Sequence, residues 1–339
     1  MTAREYPVFT VTPKAERSLR AGHPWVYGEE VTAVEGAYQN GDMVDVVSNK
    51  GRYLGTGWVN DHSKIRVRII SHNANDTFDE AFFRRRVRYA LDYRRTVMGE
   101  TDYRCCRLIF GEADQFPGLT VDRFENILVT QVLSLGMERR KDWVYRALVE
   151  LLREDGEQID AIYERNDVTI RTLEGLEQGK GFYQMEGLRT DLSGHVTITE
   201  NGIKYDVDYM EGQKTGFFLD QKYNRQAAAK LARGRRVLDC FTHTGAFALN
   251  AAAAGAEHVT AVDVSAFALE LAAENGKRNG LTNLDYKCAD VFDLLTEMAK
   301  EKKCDYDYII LDPPAFTKSR ATAKNAYHGY KEINMKAMR

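Results

Sequence analysis

The sequence predicts an α/β fold: a parallel, doubly wound sheet in the last third of the chain, preceded by a small β-barrel and a central α+β domain. The main observation is a strict alternation of strand-like and helix-like segments after Tyr223, which is typical of βαβ units. Short strand-like runs separated by turn residues fill the first 72 residues, and a mixed pattern lies between. A chain of 339 residues is long enough for two or three domains, and we place them at 1–72, 73–210 and 211–339.

The composition excludes several classes of protein. An apolar fraction of 44% and a charged fraction of 29% are typical of a globular protein, and no apolar run approaches the roughly 18 residues of a membrane span. The amino terminus lacks an apolar signal core, so we expect a cytoplasmic protein with no membrane partner. The net charge of −3 means that any nucleic-acid binding must come from local patches. The five cysteines form no C-x-x-C pair and have no histidine at zinc spacing, which indicates reduced thiols and no metal site.

The first domain is predicted from several strand candidates and a basic connection between them. The strand candidates are Val8–Val11, Met43–Val47, Tyr53–Val59 and Ile65–Ile70. A short basic helix and an aromatic loop come between the first two. The side chains in this connection that could contact a nucleic acid are Lys14, Arg17, Arg20 and Trp25.

A helix predicted from Phe82 to Met98 has an apolar stripe near 3.6-residue spacing and arginines over much of the remaining surface. A run of like charges is usually a solvated face. The alternative is a surface that contacts phosphates, for which the candidates are Arg84, Arg85 and Arg88.

The rest of the chain divides into a central α+β pattern and a final βα series. In the central part, Asn201-Gly202 is a strong hairpin signal. The predicted central strands are 107–110, 119–122, 127–132, 161–163, 196–199 and 203–207, with a helix at 138–153. The predicted strands of the final series are 236–239, 259–263, 285–288 and 308–311, and its helices are 224–232, 246–254, 266–279 and 292–301.

Four carboxylates come at or just after the ends of these four strands: Asp239, Asp263, Asp290 and Asp312. Because the carboxyl ends of parallel strands meet at one crevice, we expect the four acids to line it. An acid after the second strand suits the hydroxyls of a ribose, one after the third can accept a hydrogen bond from an adenine amine, and one near the first loop favours a cation. A single Asp at such a place is more often a helix cap or turn former, but four at matched strand ends favour a binding site.

The loop after the first strand contains one glycine, Gly245, and lacks the G-x-G-x-x-G pattern that cradles a pyrophosphate. A cofactor without phosphate needs no such cradle. Ribose, adenine and a positive charge without phosphate together describe S-adenosylmethionine. We expect Phe241, Thr244 and Gly245 to contact it, together with the acids on the donor side, Asp239, Asp263 and Asp290.

The fourth strand ends at Asp312-Pro313-Pro314-Ala315-Phe316. The prolines make a rigid turn, the carboxylate or a carbonyl can accept a hydrogen bond, and an aromatic ring can stack, which suits a flat, nitrogen-bearing base. The candidates for base positioning are Asp312, Pro313 and Phe316. The alternative is an ordinary strand-to-loop turn with a core phenylalanine.

These motifs resemble those of class I S-adenosylmethionine-dependent methyltransferases, and two further segments resemble a particular family among them. Residues 212–221 (GQKTGFFLDQ) are similar to the segment before the methyltransferase domain of the ribosomal RNA large-subunit methyltransferase I family, and residues 20–27 are similar to the entry of its PUA RNA-binding domain. The resemblance spans essentially the whole chain. It implies a Rossmann-like methyltransferase domain after a PUA-like domain and a central domain, ribosomal RNA as partner, and Gln221 as a further cofactor contact.

The resemblance also implies methylation of 23S ribosomal RNA, most often at cytosine C5, which needs a cysteine thiolate beside the base. In the family that cysteine lies in a Ser-Cys or Thr-Cys motif after the fifth strand of the sheet, and this sequence has no such motif there. We interpret Cys105, Cys106, Cys240, Cys288 and Cys304 as small apolar fillers. Because a sheet of this class has seven strands, of which four are visible, we expect an incomplete domain that binds the cofactor weakly and does not methylate C5.

Other functions stay open. N-methylation of a ribosomal RNA base, for example guanine N7, needs no cysteine, although Ala315 separates Pro314 from Phe316, unlike the tight tetrapeptide of amine methyltransferases. A non-catalytic protein could bind structured RNA through the barrel and the arginine helix. A nicotinamide oxidoreductase is disfavoured by the single glycine of the first loop. A homodimer is also left open.

Overall fold

The structure is a computed structural model that describes residues 5–301, 305–317 and 322–338. Contacts between residues divide the chain into two units, Met1–Val196 with Val207–Phe217, and Thr197–Asp206 with Phe218–Arg339. The β-barrel and the central sheet both fall in the first unit. The domain limits at residues 72 and 210 stay a prediction.

The barrel of the first unit is a six-stranded sheet in the order β2-β6-β5-β4-β1-β3. Its elements are β1 (Val8–Val11), α1 (Pro13–Arg20), β2 (Trp25–Tyr27), β3 (Val31–Glu35), β4 (Met43–Ser48), β5 (Tyr53–Val59) and β6 (Ile65–Ser71). The basic helix is confirmed as α1, and Thr12 caps it by accepting a hydrogen bond from Ala15 N at 3.3 Å. The expected aromatic loop is wrong, because Trp25–Tyr27 pairs with β6 as a strand, and β3 was not predicted.

The central sheet has five strands in the order β11-β10-β9-β8-β7. Its elements are α2 (Glu80–Val97), α3 (Glu100–Tyr103), β7 (Cys105–Phe110), β8 (Leu119–Phe124), β9 (Ile127–Val132), α4 (Leu135–Glu138), α5 (Lys141–Glu154), β10 (Ala161–Arg165) and β11 (Lys180–Phe182). The helix predicted at 138–153 is therefore interrupted, since α5 begins only at Lys141. Apolar side chains of α2 and α5 pack into one core with this sheet.

The second unit contains the predicted parallel sheet. Its elements are α6 (Lys222–Ala229), β14 (Arg236–Cys240), α7 (Ala246–Ala253), β15 (His258–Asp263), α8 (Ala266–Arg278), β16 (Leu284–Cys288), α9 (Val291–Glu301), β17 (Tyr308–Leu311) and α10 (Ala323–Ala337). The strand order is β16-β15-β14-β17, with all pairs parallel. The hairpin of β12 (His195–Glu200) and β13 (Ile203–Asp208) precedes it. Its turn residues Asn201 and Gly202 have φ of 53° and 80°, as a type I′ turn requires.

Within the described residues, no helix has both the length and the apolar character needed to cross a membrane. The same residues contain no group of three or more His, Cys, Asp or Glu side chains that could hold a metal ion.

Candidate active site

The carboxyl edge of the parallel sheet brings the four predicted acids to one side of the second unit. Cys240, the residue after Asp239, lies opposite Leu311, the residue before Asp312, and Asp263 lies opposite Cys288. Because β14 lies between β15 and β17, the loops after the three strands are neighbours. Asp239, Asp263 and Asp312 therefore lie at one edge of the sheet, as the sequence predicts, and their contact with a ligand stays a prediction.

Asp239 is almost fully buried, with 1% of its surface exposed. Its Oδ2 accepts hydrogen bonds from Thr242 Oγ1 at 2.5 Å and from Ala248 N at 2.9 Å, whereas Oδ1 has no hydrogen-bond partner among the described residues. Burial raises the pKa of Asp239 to about 7, and the charges of Asp312 and Asp263 act in the same direction. A buried carboxylate oxygen without a donor is costly, and a cationic ligand beside it would remove that cost.

The loop between β14 and α7 has an unusual backbone. Phe241, His243 and Gly245 have φ of 62°, 53° and 82°, and such left-handed conformations are uncommon away from glycine. A Cβ on Gly245 would lie 2.8 Å from Cβ of Ala272 on α8, so glycine is required there by both conformation and space. Strained residues of this kind often mark functional loops.

His243 is a residue that the sequence analysis missed. Its N–H donates to Asp263 Oδ2 at 2.8 Å, which ties the first loop to the second strand. Its ring packs edge-on against Phe218, with centroids 5.4 Å apart, and burial lowers its pKa, so the imidazole is neutral at pH 7. No motif signals this role, because it comes from the backbone amide.

Asp263 and Asp290 use backbone donors in different ways. Asp263 accepts from His243 N on one oxygen and from Ser265 N, at 2.9 Å, on the other. Asp290 is exposed, and its Oδ1 accepts from Phe292 N at 2.7 Å at the start of α9. It is therefore a helix cap, the ordinary role that the sequence also allowed, and a contact of its carboxylate with a ligand stays a prediction.

Two apolar side chains that follow Asp263 in the chain are exposed, and the sequence analysis did not single them out. Val264 and Phe267 are 73% and 68% exposed, although both residues are usually buried. Val264 directly follows the acid at the end of β15. An apolar residue after a strand-ending acid is a signal that sequence reasoning could have used, since such a surface suits the face of a flat ring.

On the other side of β14, the loop after β17 is held by aromatic packing. The Phe316 ring is half-buried, with its centroid 4.4 Å from that of Tyr330 and 5.7 Å from that of Phe292. Phe316 N donates to Tyr330 Oη at 3.2 Å. Asp312 comes at the start of this loop. The residue as a whole is exposed, but its carboxyl is partly removed from water, and this desolvation, followed by the charge of Asp220, raises the pKa of the carboxyl.

Gln221 lies in a short turn directly before α6. Arg225 is 2% exposed and makes a two-pronged ion pair with Glu200, at 2.7 and 2.8 Å. Its Nη2 also donates to the Phe218 carbonyl at 2.8 Å, which fixes the turn. Gln221 is half-buried, and its Oε1 accepts from Asn224 Nδ2.

The arginines that were predicted on α2 form ion pairs with carboxylates of the same unit. Arg84 contacts Glu150 and Glu154 on α5, both at 2.6 Å, and Arg88 contacts Asp155 at 2.7 Å. Arg85 lies 3.5 Å from Asp76. These ion pairs favour a solvated, internally balanced face over a phosphate-binding one.

The cationic and aromatic side chains around α1 differ from one another in whether they have a partner within the protein. Lys14 lies 3.3 Å from Glu30, and Arg20 lies 3.5 Å from Glu16. Arg17 is exposed. Trp25 Nε1 donates to Glu112 Oε1 at 2.8 Å, so this ring is anchored at one end. RNA contacts by these side chains stay a prediction.

The described cysteines fit the expectation of apolar fillers in three cases. Cys105, Cys106 and Cys240 are buried, and burial raises the pKa of Cys240 to about 12. Cys288 is exposed at the end of β16, at the opposite end of the strand order from β17. Cys304 lies outside the described residues.

Comparison with known proteins assigns a class to this fold and site. Residues 9–72 match the PUA-like domain family, and residues 183–333 match an S-adenosylmethionine-dependent methyltransferase family. An S-adenosylmethionine-dependent methyltransferase structure from Streptococcus mutans superimposes with a TM-score of 0.76 at 23% identity, covering 96% of this chain and 82% of that one. A methyltransferase structure in complex with SAH gives a TM-score of 0.79, also at 23% identity, over 97% and 82% of the two chains. The fold is that of an S-adenosylmethionine-dependent methyltransferase.

The curated relatives narrow this class to one family. A protein of Photobacterium profundum named ribosomal RNA large subunit methyltransferase I is 42% identical over 95% of this chain and 80% of its own length. The protein of the same name from Shewanella denitrificans is 43% identical over 96% and 80%. The chain therefore belongs to the ribosomal RNA large subunit methyltransferase I family.

The expectation that the 339-residue chain is inactive is not supported. The relatives align with 95–96% of it. The cofactor expectation is confirmed at the level of the class: S-adenosylmethionine is the methyl donor of the matched family.

Proposed function

We propose that this protein transfers the methyl group of S-adenosylmethionine to a base of large-subunit ribosomal RNA, in the cytoplasm where ribosomes are assembled. The observation that carries the proposal is the paired arrangement at the carboxyl edge of the sheet. A rigid loop follows β14, directly after the buried Asp239. The neighbouring β17 is followed by a loop whose Phe316 ring packs on Tyr330. The names of the relatives supply the class of substrate.

On the donor side, the residues fit the cofactor. S-adenosylmethionine supplies an electrophilic methyl group on a sulfonium that carries positive charge. Asp239, whose Oδ1 has no donor among the described residues, would balance positive charge in the crevice, and Asp263 would accept from ribose hydroxyls. Val264, with 73% of its surface exposed, offers an apolar platform for the adenine ring. Phe241, Thr244 and Gly245 would shape the loop around the ligand.

On the acceptor side, Asp312 and the Pro313 turn would orient the edge of the base, and Phe316 would limit its position. The ring of Phe316 is already packed on Tyr330, so it can hold a base without first being ordered. A base in a duplex must leave the stack to reach this loop, at a cost of a few kcal/mol. Stacking is worth about 1–3 kcal/mol per base, which offsets part of that cost.

Cytosine C5 of 23S ribosomal RNA is the first candidate for the methylated atom, on the basis of the family resemblance alone. C5 becomes nucleophilic only after a thiolate adds to C6. Cys240 cannot supply that thiolate, because its thiol is buried with a pKa of about 12, and Cys288 lies at the far side of the sheet. N-methylation of a base, such as guanine N7, needs no thiol and is the second candidate.

The test is a nucleoside analysis of 23S ribosomal RNA from a strain that lacks the gene, incubated with the purified protein and S-adenosylmethionine. Digestion and mass spectrometry should show one new methylated nucleoside, and 5-methylcytidine would support the first candidate. A new 7-methylguanosine or N-methylated base would replace the C5 assignment while keeping the methyltransferase. RNA binding without any heat of S-adenosylmethionine binding in calorimetry would instead favour a non-catalytic RNA-binding protein.

A further inference from the structure

The helix after the base loop, α10, has an exposed face of cationic and aromatic side chains. Lys324, His328 and Lys331 follow each other at spacings of four and three residues, which places them on one side of the helix. All three are exposed, whereas Ala326 and Ile333 on the opposite side are buried. The face is therefore turned to solvent.

The two lysines of this face differ in their pairing from the third described lysine of the helix that lies further along it. In the described ranges, neither Lys324 nor Lys331 forms an ion pair, whereas Lys336 on the same helix lies 2.6 Å from Glu332. Unbalanced cations about 10 Å apart along a helix can contact successive phosphates of a nucleic-acid strand.

The face is also continuous with the base-binding loop. Phe316 stacks on Tyr330, with ring centroids 4.4 Å apart, and its N–H donates to the Tyr330 hydroxyl. Tyr327 comes three residues earlier on the helix, one turn away, and is 66% exposed. An aromatic surface therefore leads from the loop to the cationic face.

We propose that this face of α10, formed by Lys324, Tyr327, His328 and Lys331, binds the single-stranded RNA next to the methylated base. The lysines contact phosphates, and Tyr327 stacks on a neighbouring base. Only an unpaired segment exposes base faces for stacking, which is why the partner is single-stranded. The inference rests on the proposed function and adds to it the part of the protein that holds the RNA beside the target.

The test compares two double variants of the whole protein. Lys324→Ala/Lys331→Ala removes both cations of the face, and Lys230→Ala/Lys277→Ala removes two exposed lysines near the amino edge of the same sheet. The first should weaken RNA binding about tenfold and make the plot of log K against log salt shallower by about 1.4, or about 0.7 per lost contact. The control should bind RNA like the wild type, and both variants should keep the wild-type affinity for S-adenosylmethionine.

The aromatic part is tested separately with Tyr327. Tyr327→Phe keeps the ring and should bind RNA normally, whereas Tyr327→Ala should weaken binding by about tenfold, as expected for the loss of one stacked base. If the α10 double variant matches the lysine control and Tyr327→Ala matches Tyr327→Phe, the inference is wrong. If the wild type binds S-adenosylmethionine but neither binds nor methylates ribosomal RNA, the proposed substrate is wrong, and this inference falls with it.

Discussion

The loops after β14 and β17 follow neighbouring strands but are stabilised by different kinds of contact. The first is fixed from inside by hydrogen bonds to Asp239 and Asp263 and by a left-handed backbone. The second begins with an exposed Asp312 and is held by ring packing between Phe316 and Tyr330. A small cofactor is bound best by a preformed pocket, whereas a base that must leave a stacked RNA needs an open approach. The proposed function therefore gives the donor role to the first loop and the acceptor role to the second.

The largest effect on cofactor affinity is expected from Gly245→Ala, which changes the rigid loop after β14. The new Cβ would lie 2.8 Å from Ala272 at φ +82°, so both the loop and α8 must shift. We expect at least a tenfold loss of S-adenosylmethionine affinity by calorimetry, because strain of this kind costs about 1–3 kcal/mol. Gly280→Ala is the control, since it has φ +64° with no atom within 4 Å of the new Cβ and tests strain without the clash. Equal affinity in both variants would contradict the described geometry.

The second prediction concerns the pH dependence of S-adenosylmethionine affinity. It tests the role of Asp239 without involving the acceptor loop. Because burial raises its pKa to about 7, the carboxyl is protonated below pH 7 and must release a proton before it can balance a cation. Above pH 7 it is already ionised. Affinity for S-adenosylmethionine should therefore rise with pH up to about 7 and then level off. In Asp239→Asn the affinity should be lower and independent of pH in this range, and an unchanged pH profile in the variant would remove Asp239 from the donor side.

The third change, Phe316→Ala, is directed at the acceptor loop. Loss of one stacked base should lower kcat/KM for RNA about tenfold, at roughly 1–3 kcal/mol per base. Affinity for S-adenosylmethionine should stay within about twofold, since Phe316 packs on α9 and α10 and makes none of the described contacts of the donor loop. An equal loss of both quantities would mean that the two loops are not independent.

The smallest effect is expected from Arg84→Ala on α2. The ion pairs of Arg84 with Glu150 and Glu154 are at the surface, so their loss should change the free energy of unfolding by less than about 1 kcal/mol. RNA affinity should not change, because the guanidinium is already occupied. A clear loss of RNA affinity in filter binding would restore α2 as a phosphate-binding surface.

The sequence was sufficient for features that depend on local pattern. The alternation of strands and helices predicted the four described strands of the parallel sheet and the helices between them, and the matched strand ends predicted that Asp239, Asp263 and Asp312 lie at one edge. Both follow from periodicity and from the geometry of parallel strands.

Features that depend on distant partners could not be predicted. The ion pairs of Arg84 join residues 66 and 70 positions apart, and no local signal shows them. The role of His243 comes from its backbone N–H, which every residue except proline has. Trp25–Tyr27 is a strand because it pairs with β6, about 40 residues later in the chain. Three residues are too few to show a periodic pattern in the sequence.

The most direct test of the central claim is transfer of an isotope-labelled methyl group from S-adenosylmethionine to 23S ribosomal RNA by the purified protein, with Asp239→Asn and Asp312→Asn measured in parallel. The account predicts label in the RNA with the wild type. It predicts weak cofactor binding with the first variant, and normal cofactor binding with little transfer with the second. No label in the RNA, while the wild type binds both S-adenosylmethionine and RNA, would contradict it.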